Sequence, residues 1–345
     1  PNSLHKLGVD ANHLITSSTN QILDILNLND YEVIYTSGAS ESNNLAIKGI
    51  ALKYSNRGKH IITTKLEHSS INGPLDYLKS IGFDISYVNI DSNGKVDIDH
   101  LKSIIRDDTI LVSINAINSE LGIKQPIEEI GKLLLDYPKC YFHVDTTQAI
   151  GKIKLDLSNV DLFSFSAHKF YGIKGIGALI KKSKIVIEPQ IHGGKSTTVY
   201  RSGTPSLPLI VSMSKALRLS YENIDSKIKY IEKLNNELRE FFSNYELVSI
   251  NSPKDAIPHI LNISVIGVKP ETLLHSLESK EIFISTKSAC SSSSSLSSAV
   301  LELTKNEDAA KSSIRISLSY LTTDEEIEKL KKAFDECYKE LTCLR

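Results

Sequence analysis

Lys169 has the surroundings of a lysine that bonds covalently to a carbonyl compound. It directly follows a short apolar run that predicts a strand, and Ser166 and His168 lie within three residues of it. Glycines follow at 172, 175 and 177. A primary amine in such a place can form a Schiff base with an aldehyde cofactor such as pyridoxal 5'-phosphate. A solvated loop lysine would show the same local sequence, so cofactor-holding groups must be sought elsewhere in the chain.

Asp145 ends a second apolar run, 141–144, and Gln148 follows three residues later. A carboxylate at a buried strand end is costly without a partner. A protonated pyridine nitrogen would be such a partner, and keeping that nitrogen charged lets the ring accept electrons. The alternative is that Asp145 caps a following helix. The local sequence leaves both interpretations open.

Two segments have the composition of a phosphate site. Residues 38–44 follow the first predicted strand and open a helix, so backbone N–H groups, the Ser40 hydroxyl and the helix dipole could receive a phosphate. A simple N-cap by Ser40 or Ser42 would explain the same residues. Residues 192–204 add small residues, a hydroxyl and an arginine, which could complete a phosphate cup, although most Gly-Gly pairs such as that at 193–194 are only turns.

Three further side chains could act on a substrate. His68 follows the second predicted strand and could stack on an aromatic cofactor or move protons; a surface histidine before a helix is the alternative. Arg315 alternates with apolar neighbours in 314–318, and if it faces a cleft it would clamp an α-carboxylate through two hydrogen bonds. Cys290 lies in a serine-rich loop, where a thiol has the access that nucleophilic chemistry requires; a buried cysteine that acts as a small apolar residue is the alternative.

The elements that would position these side chains alternate between short β-rich runs and amphipathic stretches over residues 31–182. This alternation is typical of an α/β fold with a doubly wound, mainly parallel sheet, whose ligand site lies at the carboxyl ends of the strands. The predicted strands are 32–35, 61–63, 85–88, 110–114, 141–144 and 162–165.

The pattern changes after about residue 224. A long helical stretch over 206–243 is predicted to bridge two domains, and a capping box at Thr323 and Glu326 marks the start of the last helix. We therefore predict a large domain over 1–223 and a smaller α+β domain over 224–345 that carries the Cys290 loop. The smaller domain is predicted to contain strands at 246–250, 259–265 and 312–318 and helices at 270–280 and 323–341.

Composition excludes several classes of function. The chain has 345 residues, with 40 lysines and arginines against 41 aspartates and glutamates, so no charge excess favours nucleic acid or an anionic membrane. No apolar run has the ~20 residues of a membrane span, and we expect a cytoplasmic protein. Four cysteines are too sparse for a disulfide framework. Because the chain begins with Pro1, we expect a longer natural protein.

Taken in order, these motifs resemble those of the NifS/IscS-type cysteine desulfurases of the class V aminotransferase superfamily. The likeness covers nearly the whole chain and implies a type I pyridoxal-phosphate-transferase fold. The matching segments are Thr-Ser-Gly-Ala-Ser-Glu-Ser-Asn-Asn at 36–44, Glu-His at 67–68, His-Val-Asp-Thr-Thr-Gln at 143–148, Ser-Ala-His-Lys at 166–169, Arg-Ser-Gly-Thr at 201–204, Ser-Ala-Cys at 288–290 and Ser-Ile-Arg at 313–315.

The resemblance implies a role for each candidate. Lys169 would hold pyridoxal 5'-phosphate covalently and move the substrate α-proton, while His68 would stack on the ring and Cys290 would accept sulfur. Asp145 would pair with the ring nitrogen and Gln148 with the ring oxygen. Substrate would bind to Arg315 and Asn118. The implied cofactor-binding residues are Ala39, Ser40, His68, Ser119, Asp145, Gln148, Ser166, Ala167, His168, Lys169 and, from the partner subunit of a homodimer, Thr204.

The implied reaction converts L-cysteine to L-alanine and leaves a persulfide on Cys290. The thiol must first lose its proton, and His68 or the substrate amine could be the base. The persulfide sulfur would pass to an iron–sulfur scaffold or to a tRNA or thiamin sulfurtransferase. Because the chain ends at Arg345, without the extension that engages the scaffold, the second group of acceptors is favoured.

Two departures from the family pattern leave other functions open. Ser119 stands where the family has a second asparagine, so that contact would be weaker or would pass to Asn118. The family's glycine-rich loop is altered over 193–199. The alternatives are another class V pyridoxal-phosphate enzyme, either an aminotransferase or a selenocysteine lyase, and a non-catalytic homologue that acts as a binding subunit.

Overall fold

The computed structural model describes Pro1, residues 3–286 and residues 296–343. The chain forms two compact units. The first comprises Pro1–Asn89, Val96–Ala116 and Gln125–Ile224, and the second comprises Ile90–Lys95, Ile117–Lys124 and Asp225–Arg345. The division into folding domains at residues 223 and 224 stays a prediction.

The first unit is built on a seven-stranded sheet with the strand order β1-β7-β6-β5-β4-β2-β3. β7 runs antiparallel to both of its neighbours, and the other strand pairs are parallel. The α/β fold with a mainly parallel sheet is therefore confirmed. Its strands are β1 Tyr31–Thr36, β2 His60–Thr63, β3 Asp84–Tyr87, β4 Thr109–Asn115, β5 Tyr141–Asp145, β6 Leu162–Ser166 and β7 Gly177–Lys182.

Helices cover this sheet, and its central strands are buried on both faces. Every residue of β4 and β6 is buried, as expected for parallel strands between two helical layers. Because β1, β2, β4, β5 and β6 share one direction, their carboxyl ends meet at one edge. The helices of the first unit are α1 Lys6–Ile25, α2 Ala39–Lys53, α3 Ser69–Ser80, α4 Ile98–Ile104, α5 Ile127–Leu134, the 3-10 helix Ala167–Phe170 and α6 Leu207–Tyr221.

Strand β7 is not among the strands predicted from the sequence. Its lysine pair, Lys181 and Lys182, interrupts the apolar pattern that identifies a buried strand. Lys181 is nevertheless fully buried, and its Nζ lies 2.7 Å from a carboxylate oxygen of Glu32 on β1. The ammonium also lies 4.5 Å from the centre of the Tyr200 ring. A charge can be buried in this strand because it is paired there.

The helical stretch predicted over 206–243 is divided in the structure. Two helices occupy this stretch, α6 and α7, the second spanning Ile224–Phe242. They are separated at Asn223, whose φ of 54° lies in the left-handed region. Asparagine tolerates this conformation better than most residues. The helical spacing of the apolar residues therefore continues across Asn223, although the helix itself ends there.

The second unit packs helices on a three-stranded antiparallel sheet with the strand order β10-β9-β8. The capping box is confirmed: the Glu326 N–H donates to Thr323 Oγ1, and the Thr323 N–H donates to Glu326 Oε2 at 2.9 Å. In the described parts of the chain, no helix is both long and apolar enough to cross a bilayer. The elements of this unit are α7, β8 Val248–Ile250, β9 Ile260–Val265, α8 Pro270–Glu278, α9 Ser298–Thr304, α10 Glu307–Lys311, β10 Ser313–Ser317 and α11 Asp324–Thr342.

Candidate active site

The amino end of helix α2 is open to an anion. The helix spans 15 residues from Ala39, and its N-cap is Gly38, which has no side chain to cap the helix. The sequence alternative of a cap by Ser40 or Ser42 is therefore not what the structure shows. Ser42 instead shares a hydrogen bond with Thr36 inside the loop, at 2.7 Å. The first-turn N–H groups and the helix dipole favour negative charge at this end.

The backbone at the start of α2, at Gly38 and Ala39, lies directly against the end of β6. The Ala39 N–H donates to Ser166 Oγ at 2.6 Å, which places two of the predicted phosphate-binding residues in contact. A Cβ added to Gly177 would lie 2.7 Å from Gly38 Cα and 2.4 Å from the Phe165 carbonyl oxygen. The backbones can approach this closely because Gly177 carries no side chain.

Lys169 lies on a short, anchored turn. It belongs to the 3-10 helix that follows β6, and Tyr171 ends this helix with a φ of 66°. The next residue, Phe170, is fully buried, and its carbonyl oxygen accepts a hydrogen bond from Ser220 Oγ at 3.1 Å. The Lys169 backbone is thereby fixed, and its side chain is half-buried at the sheet edge where the parallel strands end.

Asp145 ends β5 and is 7% exposed. Its Oδ1 accepts the N–H of Thr147 at 2.9 Å, and its Oδ2 accepts Nδ2 of Asn43 at 2.8 Å. Both donors are neutral. The bond to Thr147 closes a local turn, since no helix follows Asp145 directly. The carboxylate thus has hydrogen-bonded support but no cation among the partners that the structure gives it.

His68 is the N-cap of helix α3. Its Nδ1 accepts the backbone N–H of Ser70 at 3.1 Å and lies 2.9 Å from Ser70 Oγ. Asn43 donates to the same Ser70 Oγ at 2.9 Å. An unbroken series of hydrogen bonds therefore joins His68 to Asp145 through Ser70 and Asn43.

Glu67 is buried beside this series. Its Oε1 accepts the Asn115 N–H at 3.0 Å, Asn115 Nδ2 at 2.9 Å and Thr64 Oγ1 at 2.8 Å. Its Oε2 is buried without a hydrogen-bond partner among the described residues. Burial raises the pKa of Glu67 to about 8, because desolvation and the charge of Asp145 outweigh these hydrogen bonds. The carboxyl group ties the end of β4 to the segment that precedes His68.

The Arg315 side chain is held by hydrogen bonds to other residues of the second unit. Its Nη1 donates to the Ser119 carbonyl oxygen at 2.9 Å and its Nη2 to Ser285 Oγ at 3.3 Å. Its Nε is buried without a hydrogen-bond partner in the described part of the chain. Burial lowers the pKa of Arg315, while the charge of Glu120 opposes this shift. A desolvated guanidinium with an unused donor is suited to bind a carboxylate.

Asn118 and Ser119 form a turn in the second unit. Asn118 Oδ1 accepts the N–H groups of Glu120 and Leu121, at 3.0 and 2.8 Å. The side-chain oxygen of Asn118 is thus used within the turn. Ser119 contacts Arg315 through its backbone, a contact that any residue at this position could make. These geometries show how the turn supports the guanidinium.

The remaining predicted residues lie as follows. Gln148 Oε1 accepts Nζ of Lys152 at 2.5 Å, so its amide NH2 is the end that can donate to a ring oxygen. His168 is exposed, and partial burial followed by the charge of Lys169 lowers its pKa. Thr204 is exposed. Cys290 and the segment 288–290 lie outside the described residues.

These observations fit pyridoxal 5'-phosphate in the first unit. The uncapped end of α2, together with Ser166, matches a phosphate. The buried carboxylate of Asp145, whose given partners are neutral donors, matches a protonated ring nitrogen. Lys169 supplies the primary amine. The donor set thus pairs one anion site and one cation site with an amine at the same sheet edge, which is the charge pattern of this cofactor.

Sequence reasoning missed Asn43 and Ser70 as members of the site. Asn43 lies in the matching segment 36–44, and Ser70 lies two residues after the candidate His68. However, the sequence around each of them indicates only the start of a helix. The contact between them joins residues 27 positions apart in the chain. Glu67 could have been identified from the sequence, because a carboxylate between a buried strand and a histidine is unusual at a position that becomes buried.

Comparison with known proteins agrees with this architecture. The family profile "Aminotransferase class-V" matches residues 1–330. The chain is 41% identical to a "NifS/IcsS protein homolog" of Lactobacillus delbrueckii subsp. bulgaricus, covering 98% of this chain and 90% of that protein. It is 43% identical to "Cysteine desulfurase IscS" of Vibrio cholerae serotype O1, covering 94% of this chain and 81% of that protein.

Among solved structures, a "NifS-like protein" superimposes with a TM-score of 0.91 at 32% identity, covering 99% of this chain and 91% of that one. The similarity therefore extends over both units and is not confined to the segments that carry the candidate residues. The chain belongs to the class-V aminotransferase family and is a homologue of the NifS/IscS cysteine desulfurases.

Proposed function

We propose that this protein is a pyridoxal-phosphate-dependent cysteine desulfurase that converts L-cysteine to L-alanine. The observation that carries the proposal is the combination of Lys169 on its anchored turn with Asp145 buried at the adjacent strand end. The NifS/IscS relatives, which match over most of the chain, support the substrate assignment.

Each candidate residue of the first unit has a task in this reaction. Ser40, Ser166 and His168 would hold the phosphate, with the Ala39 N–H positioning Ser166 through its bond to Ser166 Oγ and Ala167 supplying the backbone between Ser166 and His168. When bound, pyridoxal 5'-phosphate supplies the electron sink that weakens the Cα–H bond and then the Cβ–S bond of L-cysteine. The Asp145 carboxylate would keep the ring nitrogen protonated, and the Gln148 amide would donate to the ring oxygen.

Lys169 would hold the cofactor and then, once the substrate amine has replaced it, take the α-proton of the substrate. Its amine can perform both tasks because the 3-10 helix fixes its backbone and leaves its side chain half-buried. His68 would stack on the ring, with its Nδ1 edge turned to Ser70.

Arg315 would bind the carboxylate of L-cysteine. Its guanidinium is already oriented by the Ser119 carbonyl and Ser285 Oγ, so little side-chain entropy is lost on binding. Ser119 and Asn118 would act by shaping this turn.

Cys290 is the proposed sulfur acceptor. In the transfer its thiolate forms an S–S bond to the substrate sulfur while the Cβ–S bond breaks. The carbon is reduced and takes a proton, giving alanine, and the sulfur is oxidised to the sulfane level. One L-cysteine and one enzyme thiol thus yield one L-alanine and one persulfide.

The test is to measure alanine formation and protein-bound persulfide from L-cysteine with wild type, Cys290→Ala and Cys343→Ala. Cys343 is an exposed cysteine and so provides a matched control. We expect persulfide to be lost in Cys290→Ala and retained in Cys343→Ala. Persulfide formation that is unchanged in Cys290→Ala would refute the assigned acceptor. A keto acid as the steady product would identify an aminotransferase, and alanine from selenocysteine alone would identify a selenocysteine lyase.

We also propose a cytoplasmic homodimer that passes the persulfide sulfur to an iron–sulfur scaffold or to a tRNA or thiamin sulfurtransferase. Within this chain Arg201 Nε donates to Glu41 Oε1 on α2 at 2.9 Å, and Thr204, three residues after Arg201, is exposed and so is accessible to a partner subunit. Trapping the disulfide between Cys290 and its acceptor in a lysate, followed by peptide sequencing, identifies the acceptor. Trapping only a scaffold protein would exclude the thiolation route.

A further inference from the structure

The hydrogen bonds that connect Asp145 with His68 determine where the histidine proton lies. A carboxylate can only accept, so the Asn43 amide must turn its NH2 group towards Asp145 Oδ2, 2.8 Å away. The opposite amide orientation would place two oxygens against each other. Asn43 Oδ1 is left buried without a partner among the described residues, so the amide gives up a hydrogen bond to its oxygen in this orientation.

The second hydrogen of the same NH2 group reaches Ser70. Asn43 Nδ2 lies 2.9 Å from Ser70 Oγ, which therefore acts as an acceptor in this contact. The Ser70 hydroxyl hydrogen then remains for its other neighbour, His68 Nδ1, at 2.9 Å. The direction of each bond follows from the charge on Asp145.

A second donor to His68 is independent of this series. The backbone N–H of Ser70 points at the same Nδ1, 3.1 Å away, because His68 is the N-cap of α3. A backbone N–H can only donate. Nδ1 of His68 must therefore carry a lone pair, and a neutral imidazole then carries its proton on Nε2.

We propose that Asn43 and Ser70 are positioning residues that hold His68 in the Nε2–H tautomer, with its proton on the ring edge that is turned away from Ser70. The inference deepens the proposed function and rests on it for the identity of the substrate. Of the two candidate bases for the Cys290 thiol, His68 and the substrate amine, it selects the amine. Nε2 has no lone pair to offer while Nδ1 remains the capping acceptor.

The test reads the proton position directly. Protein labelled with 15N-histidine is examined with its cofactor at about pH 8, where histidines are ordinarily neutral. Long-range 1H–15N correlations distinguish the two tautomers, and the spectrum of His68→Gln identifies the His68 signals. We expect a protonated Nε2 and an unprotonated Nδ1. A protonated Nδ1 in the wild-type protein would overturn the inference.

A pair of serine variants tests the role of the network. Ser70→Ala removes the hydroxyl and keeps the backbone N–H, and we expect the tautomer ratio of His68 to fall by roughly three- to tenfold. Ser69→Ala changes an exposed neighbour on the same helix and should leave the ratio unchanged. Equal spectra for the two variants would show that the network does not place the proton.

These readouts do not depend on turnover. A wild-type Nε2–H signal from a protein that forms no alanine from L-cysteine would support the tautomer assignment and contradict the proposed function. Alanine formation by a protein whose His68 is protonated on Nδ1 would support the proposed function and contradict the tautomer assignment.

Discussion

Glu67 shows at the scale of single residues how burial alters chemistry next to the site. Burial raises the pKa of its carboxyl from 4.5 to about 8, and the His143 imidazole on β5 has its pKa lowered to about 4 by the same cause. Glu67 therefore gains a proton on folding between about pH 4.5 and 8, and stability decreases as pH rises through this range. His143 loses a proton on folding between about pH 4 and 6.5, which has the opposite sign.

The two effects oppose each other up to about pH 6.5, and above it the Glu67 effect acts without opposition from His143. We predict that the free energy of unfolding of the wild type falls by ~1.5 kcal/mol more between pH 6.5 and 8 than that of Glu67→Gln. Urea unfolding of both proteins at the two pH values measures this difference. Parallel pH dependence in the variant would mean that Glu67 is ionised in the native state.

Arg315 allows a prediction about substrate binding. Lysine in its place keeps the charge but cannot make two directed hydrogen bonds. We expect Arg315→Lys to lower kcat/KM for L-cysteine by roughly 10- to 100-fold, mainly through KM.

Arg239→Lys is the matched control for this experiment. Arg239 lies in the same unit and donates to Asn235 Oδ1 and to the carbonyl oxygens of Ser252 and Pro253. It should lose stability without a change in KM. An unchanged KM in Arg315→Lys would remove this residue from the substrate site.

At the scale of elements, much of the fold could be predicted because strands buried on both faces form compact apolar runs. The runs at 110–114 and 162–165 lie within β4 and β6, in which every residue is buried. β7 could not be found in this way, since Lys181 breaks the pattern and its partner Glu32 is far away in sequence. The same limit applies to Asn43 and Ser70, whose contact exists only after α2 and α3 have packed together.

A substitution of Gly177 tests the contact between the start of α2 and strand β7. Gly177→Ala would place a Cβ 2.4 Å from the Phe165 carbonyl oxygen on β6 and 2.7 Å from Cα of Gly38, so Gly38, the N-cap of α2, must move. We expect a loss of ~1–3 kcal/mol in stability and weaker retention of the cofactor, measured by urea unfolding and by absorbance after dialysis.

Gly73→Ala serves as the control for that substitution. Gly73 lies in helix α3, and an added Cβ would meet no atom within 4 Å. Because Pro74 follows in the same helix, the gain in helix propensity is opposed by crowding of the new Cβ against the proline ring, so we expect stability to change by less than about 1 kcal/mol. If Gly177→Ala were as stable as Gly73→Ala and retained its cofactor equally well, the close approach of α2 to β7 would not matter.

At the scale of the whole molecule, the proposed homodimer assigns Thr204 to the phosphate site of the partner subunit. The test co-expresses two variants, Lys169→Ala, which we expect to abolish activity, and Thr204→Ala, which we expect to lower it. In a heterodimer one site then carries both changes and the other carries neither, so we expect about half of the wild-type activity per heterodimer. Heterodimers no more active than the Thr204→Ala parent would place Thr204 in its own subunit's site.

The covalent bond to Lys169 is the claim on which the rest of the account depends. Borohydride reduction of the purified holoprotein, followed by peptide mapping, measures it most directly. We predict one phosphopyridoxyl group per chain, on Lys169, and none in Lys169→Ala. A label on another lysine, or no label on protein that retains the cofactor, would contradict the account.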